Sequence, residues 1–219
     1  MINKIYWDIE TEPLPIDHLE KLMPEFPAPG NIKDPAKIAA AIAEKKEAWL
    51  DGAALKAITG RIVAISLAFD DGEPEMWKGD GKWVGEEEAL IEHAMEVLVD
   101  VISQNALAYA WNGHGFDLPF LCQRAAVYGI PAFKQLMVNV RGRYYWNEAL
   151  IDPKLVWSNY SPDHTGTSLK SVGLALGVGE KTGSGKDFAE LLKTNPAEAE
   201  KYAKLDITLL RGIVQRMGI

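Results

Sequence analysis

The sequence predicts an α/β fold: a mixed β-sheet with helices on both faces, interrupted after its first strand by a long insert. Three observations carry this. Several short apolar runs are rich in β-branched and aromatic residues, and most are flanked by turn residues. Between and after them lie stretches with apolar residues at helical spacing. The two kinds of segment alternate through much of the chain, which suits helices packed against a sheet.

Residues 2–9 (INKIYWDI) read as the opening strand. The stretch 13–30 holds five prolines, so it reads as loop with at most short helical turns. A helix follows, with Asp34 as its cap, Pro35 in its first turn, and Ile38, Ile42 and Trp49 at helical spacing. Residues 61–69 (RIVAISLAF) are almost continuously apolar, as in a strand covered on both sides. Residues 70–74 form a turn, and a shorter return strand starts at Glu75. Residues 86–103 make an amphipathic helix with Leu90, Ala94, Leu98 and Val101 on one face. Residues 106–112 form another buried strand and 117–129 the helix after it. A less regular section, holding Tyr144, Tyr145 and Trp146, leads to a helix over 168–178, a loop over 179–186 and a long helix over 197–217. There is no internal repeat. One domain spans residues 1–219, with 13–60 as an insert within it.

The bulk properties narrow the function classes. The chain has 219 residues, 47% hydrophobic and 25% charged, enough for one sizeable core. Its formal net charge of −8 argues against coating long duplex by general electrostatics, but not against gripping a few nucleotides at a chain end, where bound cations supply positive charge. The single Cys122 excludes an intramolecular disulfide. With no secretory-type leader and no membrane-length apolar run, the expected setting is cytoplasmic.

Three short motifs carry chemistry. Asp8 and Glu10 stand two apart at the end of the first strand and therefore on one face. Paired carboxylates repel unless a cation lies between them, and hard divalent ions favour oxygen ligands. The pattern alone is common, and Asp71-Gly72-Glu73 repeats it in a turn; the apolar strand gives the first pair its meaning. The second motif is Asn112-Gly113-His114-Gly115-Phe116-Asp117, where a strand hands over to a helix. Gly113 and Gly115 would let backbone approach a ligand. Asp117 reads either as a helix cap or as a ligand, and Phe116 either as core or as a platform for a base. The third is Tyr202 and Asp206, four apart on the final helix and on the apolar stripe continued by Leu209 and Ile213. A carboxylate there is either half of a buried ion pair or a ligand.

Taken together, in this order, the motifs resemble those of the DnaQ-like exonucleases. Tyr202, four before Asp206, is like the DEDDy branch; the histidine branch places a histidine where this chain has Lys201. Asp8-Ile9-Glu10-Thr11 and Asn112 to Leu121 look like the proofreading domain of family B DNA polymerases and the free-standing, largely phage and bacterial exonucleases related to it. Ser168-Leu169-Lys170-Ser171 is similar as well. The resemblance implies a ribonuclease H-like fold and two-metal 3′–5′ exonuclease activity on single-stranded DNA, releasing nucleoside 5′-monophosphates. Asp8, Glu10 and Asp206 would hold one Mg²⁺ or Mn²⁺ with the attacking water, and Asp8 with Asp117 the second ion. Tyr202 would orient the water, being a poor base at its ordinary pKa of about 10. Asn112 and Phe116 would hold the terminal nucleotide, with Thr11 adding a backbone contact. The partner is a nucleic-acid 3′ end; whether a polymerase accompanies it stays open. An exoribonuclease of the same fold and a non-catalytic end-binding module are the alternatives.

Other features read as bland. The 179–186 loop fails the phosphate-loop pattern, leaving Lys181 and Lys186 as candidate phosphate contacts. His18, His93, His114 and His164 show no metal-ligand spacing. Arg141, Arg143, Tyr144 and Tyr145 mix charge and aromatics that suit a single strand.

Overall fold

A computed structural model describes residues 2–78, 86–161, 167–180 and 188–219, with Phe133 described by its backbone alone. His164, Lys181 and Lys186 lie outside the described residues. Contacts group the chain into two compact units, residues 1–10 with 62–219, and residues 11–61.

The larger unit is built on a five-stranded sheet of order β3-β2-β1-β4-β7. Its strands are β1 (Lys4–Pro13), β2 (Gly60–Phe69), β3 (Glu75–Lys78), β4 (Leu107–Tyr109) and β7 (Leu150–Ile151). β1 runs parallel to β4 and β4 to β7, while β2 and β3 are antiparallel, so the sheet is mixed as expected. Strand alternation sorts β1 onto two faces. On one, Tyr6 packs with Ala68 and Tyr109 against Ile207, Leu210 and Val214 of the final helix α9 (Pro196–Met217). On the other, Ile5 and Trp7 with Ile65 and Leu67 line an apolar pocket shared with Ala94 and Leu98 of α3 (Glu86–Ser103). Helices therefore cover both faces, and the site described below lies on the α9 side.

Several elements depart from the sequence expectation. The section after α4 (Asp117–Val127) is regular: it holds α5 (Ala132–Leu136) and a separate two-stranded antiparallel sheet of β5 (Met137–Val140) and β6 (Arg143–Trp146). Neither strand has a fully buried residue, and the consecutive Tyr144, Tyr145 and Trp146 show no one-sided apolar alternation of the kind that marks a strand. After β7 comes α6 (Pro153–Trp157), then α7 (Leu169–Ala175), opened by a reciprocal Ser168–Ser171 capping box. A further helix, α8 (Phe188–Thr194), precedes α9 and buries Phe188 against Tyr202.

The 11–61 unit holds α1 (Ile16–Leu22), α2 (Pro35–Asp51) and a 3₁₀ turn (Ala53–Leu55). Asp34 caps α2 by accepting the Ala36 N–H, and Pro35 occupies the first turn, as predicted. α2 has no fully buried residue; Trp49 and Leu50 pack on a small cluster of Leu14, Leu19 and Ala53. Arg61 forms a charge-assisted hydrogen bond with the buried Glu12, and the Leu14 N–H donates to the Thr59 carbonyl at 2.8 Å.

Candidate metal centre

The site starts from β1. Asp8 and Glu10 continue the Tyr6 face, which α9 covers. β4 pairs with β1 only as far as Tyr6 opposite Tyr109, so the two carboxylates extend past the end of their neighbour. α9 contributes Asp206, one residue before the buried Ile207, and Tyr202 one turn earlier. One carboxylate oxygen from each of Asp8, Glu10 and Asp206 can be chosen so that the three lie within 4.8 Å of one another. Glu10 and Asp206 are buried and Asp8 is half-buried. Three close carboxylates in the interior carry mutual repulsion and a desolvation cost that a cation relieves. The donor set is oxygen alone, which fits a hard divalent ion rather than a soft thiophilic one.

Asp117 stands outside this trio. It is the first residue of α4, with Phe116 at the N-cap making no side-chain cap bond, so the cap reading of Asp117 does not hold. Its carboxylate instead accepts the Ile9 N–H at 3.1 Å. Topology explains why. The Leu107 N–H donates to the Asn3 carbonyl, so odd positions of β1 turn their backbone toward β4. β4 stops at Tyr109, and Asp117 takes the Ile9 donor that a longer strand would have paired. Burial, reinforced by the charges of Asp8 and Asp152 and opposed by the Ile9 N–H, pushes the Asp117 carboxyl well above the usual range. Asp8 and Asp117 are thus near enough to feel each other's charge.

The β4–α4 loop is fixed by residues that the sequence did not mark. Asp152, buried at the N-cap of α6, accepts the N–H groups of Asn112 at 3.0 Å, His114 at 3.2 Å and Lys154 at 3.0 Å. Lys154 Nζ donates to Asn112 Oδ1 at 3.1 Å. Asn112 adopts a left-handed conformation, φ 61°. His114 meets the Leu150 carbonyl through Nε2 at 2.8 Å, with its ring 6.3 Å from that of Trp146. The glycines answer to local packing: a Cβ on Gly113 would sit 2.6 Å from that of Ala110, and one on Gly115 would sit 2.8 Å from Asn112 Oδ1. Phe116 is half-buried, its ring 5.4 Å from Phe120. Tyr202 is buried beside Phe188, rings 5.9 Å apart. Thr11 is half-buried and belongs to the 11–61 unit.

Residues 54–207 match the model of a family described as predicted 3′–5′ exonucleases related to the exonuclease domain of PolB. The chain belongs to this family. The matched segment of this PolB-related exonuclease includes Asn112, Phe116, Asp117, Asp152, Tyr202 and Asp206, whereas Asp8, Glu10 and Thr11 precede it. Among solved structures it is similar to the family B DNA polymerase from the hyperthermophilic archaeon Pyrobaculum calidifontis, with a TM-score of 0.62 at 15% identity. That match covers 99% of this chain and 24% of the polymerase, so the exonuclease spans about a quarter of that protein's length. Comparison with curated proteins finds no match. The shared fold is the ribonuclease H-like α/β arrangement that the sequence predicts. Among the described residues no helix is long and apolar enough to cross a membrane.

Asp152 escaped the sequence reading because Asp-Pro at a helix start is an ordinary cap pattern, the same one seen at Asp34-Pro35. It follows the two-residue β7, too short to be read as a strand, so nothing local set it apart from an ordinary cap.

Proposed function

We propose that this PolB-related protein removes nucleotides from the 3′ end of single-stranded DNA by two-metal hydrolysis, releasing nucleoside 5′-monophosphates. The observation that supports it best is the trio Asp8, Glu10 and Asp206, with Asp117 at its side. In this reading the trio holds one Mg²⁺ or Mn²⁺, and Asp8 and Asp117 serve the second. Bound there, such ions supply charge that activates water and stabilises the leaving 3′-oxygen. The chain's own residues do the rest. Tyr202 orients the attacking water from one turn before Asp206. Asn112 and Phe116 hold the terminal nucleotide by hydrogen bonding and stacking, and Thr11 adds a backbone contact.

The test is incubation of the whole chain with 5′-labelled single-stranded DNA and, in parallel, RNA, in Mg²⁺, Mn²⁺ or EDTA. Stepwise shortening from the 3′ end with metal, and none in EDTA, is expected. Asp8→Ala or Asp206→Asn should slow it about a hundredfold or more, since metal charge stabilisation is worth several kcal/mol. Unchanged activity in EDTA or in Asp8→Ala would refute the metal assignment, and faster shortening of RNA would reassign the substrate. Isothermal titration with Mn²⁺ reads the site without turnover and should lose binding in Asp206→Asn.

A further inference from the structure

We propose that Lys154 is a positioning residue for substrate binding, fixing the side-chain amide of Asn112 so that its NH₂ donates to the terminal nucleotide. The inference rests on the exonuclease reading and deepens it. It begins from the way Asn112 is held. Its N–H is taken by Asp152, and its carbonyl accepts the N–H groups of Gly115 and Phe116 at 2.9 Å each. Its Oδ1 is taken by Lys154 at 3.1 Å. An ammonium has three donors and no acceptor, so only the amide oxygen satisfies it, and this contact sets which way round the amide lies. The NH₂ is then the one polar group of Asn112 that makes no hydrogen bond among the described residues.

The surroundings hold this geometry. Gly115 leaves room for the amide, since a Cβ there would come within 2.8 Å of Oδ1. Asp152 binds the backbone of Asn112, His114 and Lys154 together, tying the loop to the first turn of α6. Asn112 itself is left-handed, a conformation that persists where neighbours over-determine it. An amide locked this way is a donor of fixed direction, which suits an acceptor oxygen or ring nitrogen on a nucleotide and loses less freedom on binding.

The test compares the whole chain with Lys154→Met, Lys154→Arg, Asn112→Ala and the Lys154→Met/Asn112→Ala double variant. KM for a single-stranded oligonucleotide in Mg²⁺ should rise up to about tenfold in Lys154→Met, the effect of losing one well-directed amide hydrogen bond to the nucleotide. kcat and the melting temperature should change little, and Lys154→Arg should recover most of the loss. The double variant should be no worse than Asn112→Ala, because both changes remove one interaction. In ¹⁵N spectra without nucleic acid, the Asn112 side-chain amide pair should shift in Lys154→Met. An unshifted pair, or additive effects in the double variant, overturns the inference alone. Failure of the unaltered protein to cleave or bind any oligonucleotide overturns it together with the exonuclease reading.

Discussion

Asp117 and Asp206 are both carboxyl groups in the interior, and each is tolerated for its own reason. Asp117 completes a strand by accepting the Ile9 N–H, so its burial is offset by a backbone donor. Asp206 gathers with Asp8 and Glu10 into an oxygen-only cluster suited to a cation. Cys122, on the same helix as Asp117, shows burial acting with no such compensation. It is fully buried, and desolvation pushes its thiol up to about 12. A thiolate is the reactive form, so the folded protein should resist a thiol reagent at pH 8. Labelling with a disulfide dye is expected only after denaturant is added; fast labelling of the native protein would refute this. At this scale the sequence revealed residues whose charge conflicts with an apolar context, as at Asp8, Glu10 and Asp206. It hid Asp152 and Lys154, whose importance lies in contacts made across the fold.

Between elements, α3 and α4 are joined by a buried ionic cluster. Glu87 accepts from Arg124 Nε at 2.8 Å and Nη2 at 2.6 Å, from the Tyr128 hydroxyl at 2.7 Å, and from the Ile62 N–H of β2 at 2.8 Å. Burial works against the Arg124 charge, yet Glu87 outweighs it and Arg124 is held above its ordinary value. Removing one partner strands the other, so Arg124→Met should cost about 3–5 kcal/mol in urea denaturation. Pairing it with Glu87→Gln should restore part of that, and equal losses in the single and double variants would contradict the account. Glu87 is the middle of three consecutive glutamates at the start of α3, and nothing local distinguishes it from Glu86 and Glu88. Long periodic helices such as α3 and α9 were readable within a residue or so. The two-residue β7 was not, because it is too short to show alternation.

Across the whole molecule, the centre of the larger unit is a stacked tyrosine pair. Tyr6 and Tyr109 lie 5.5 Å apart between the sheet and α9. Burial, then the neighbouring Tyr109, push Tyr6 up to about 12, and burial raises Tyr109 as well. The fold therefore favours the neutral phenols. Their contribution is complete below the free tyrosine value of about 10 and is lost as pH climbs from there through 12. Stability followed by circular dichroism should fall over that interval, and Tyr6→Phe should flatten the decline; an unchanged slope would refute it.

The carboxylate trio takes two members from the first strand of the sheet and its third from the last helix, with nearly every other element of the unit lying between them in sequence. Bringing such distant segments together carries a loop-closure cost that contacts between neighbours in sequence do not. On the ribosome, a chain extended only as far as α8 already carries Asp8, Glu10 and Asp117 but has no Asp206 to set against them. The cluster comes into being only when α9 has emerged and docked over Tyr6. A chain without α9 therefore holds only two of the three carboxylates, so the trio reports directly on whether the last helix has joined the first strand.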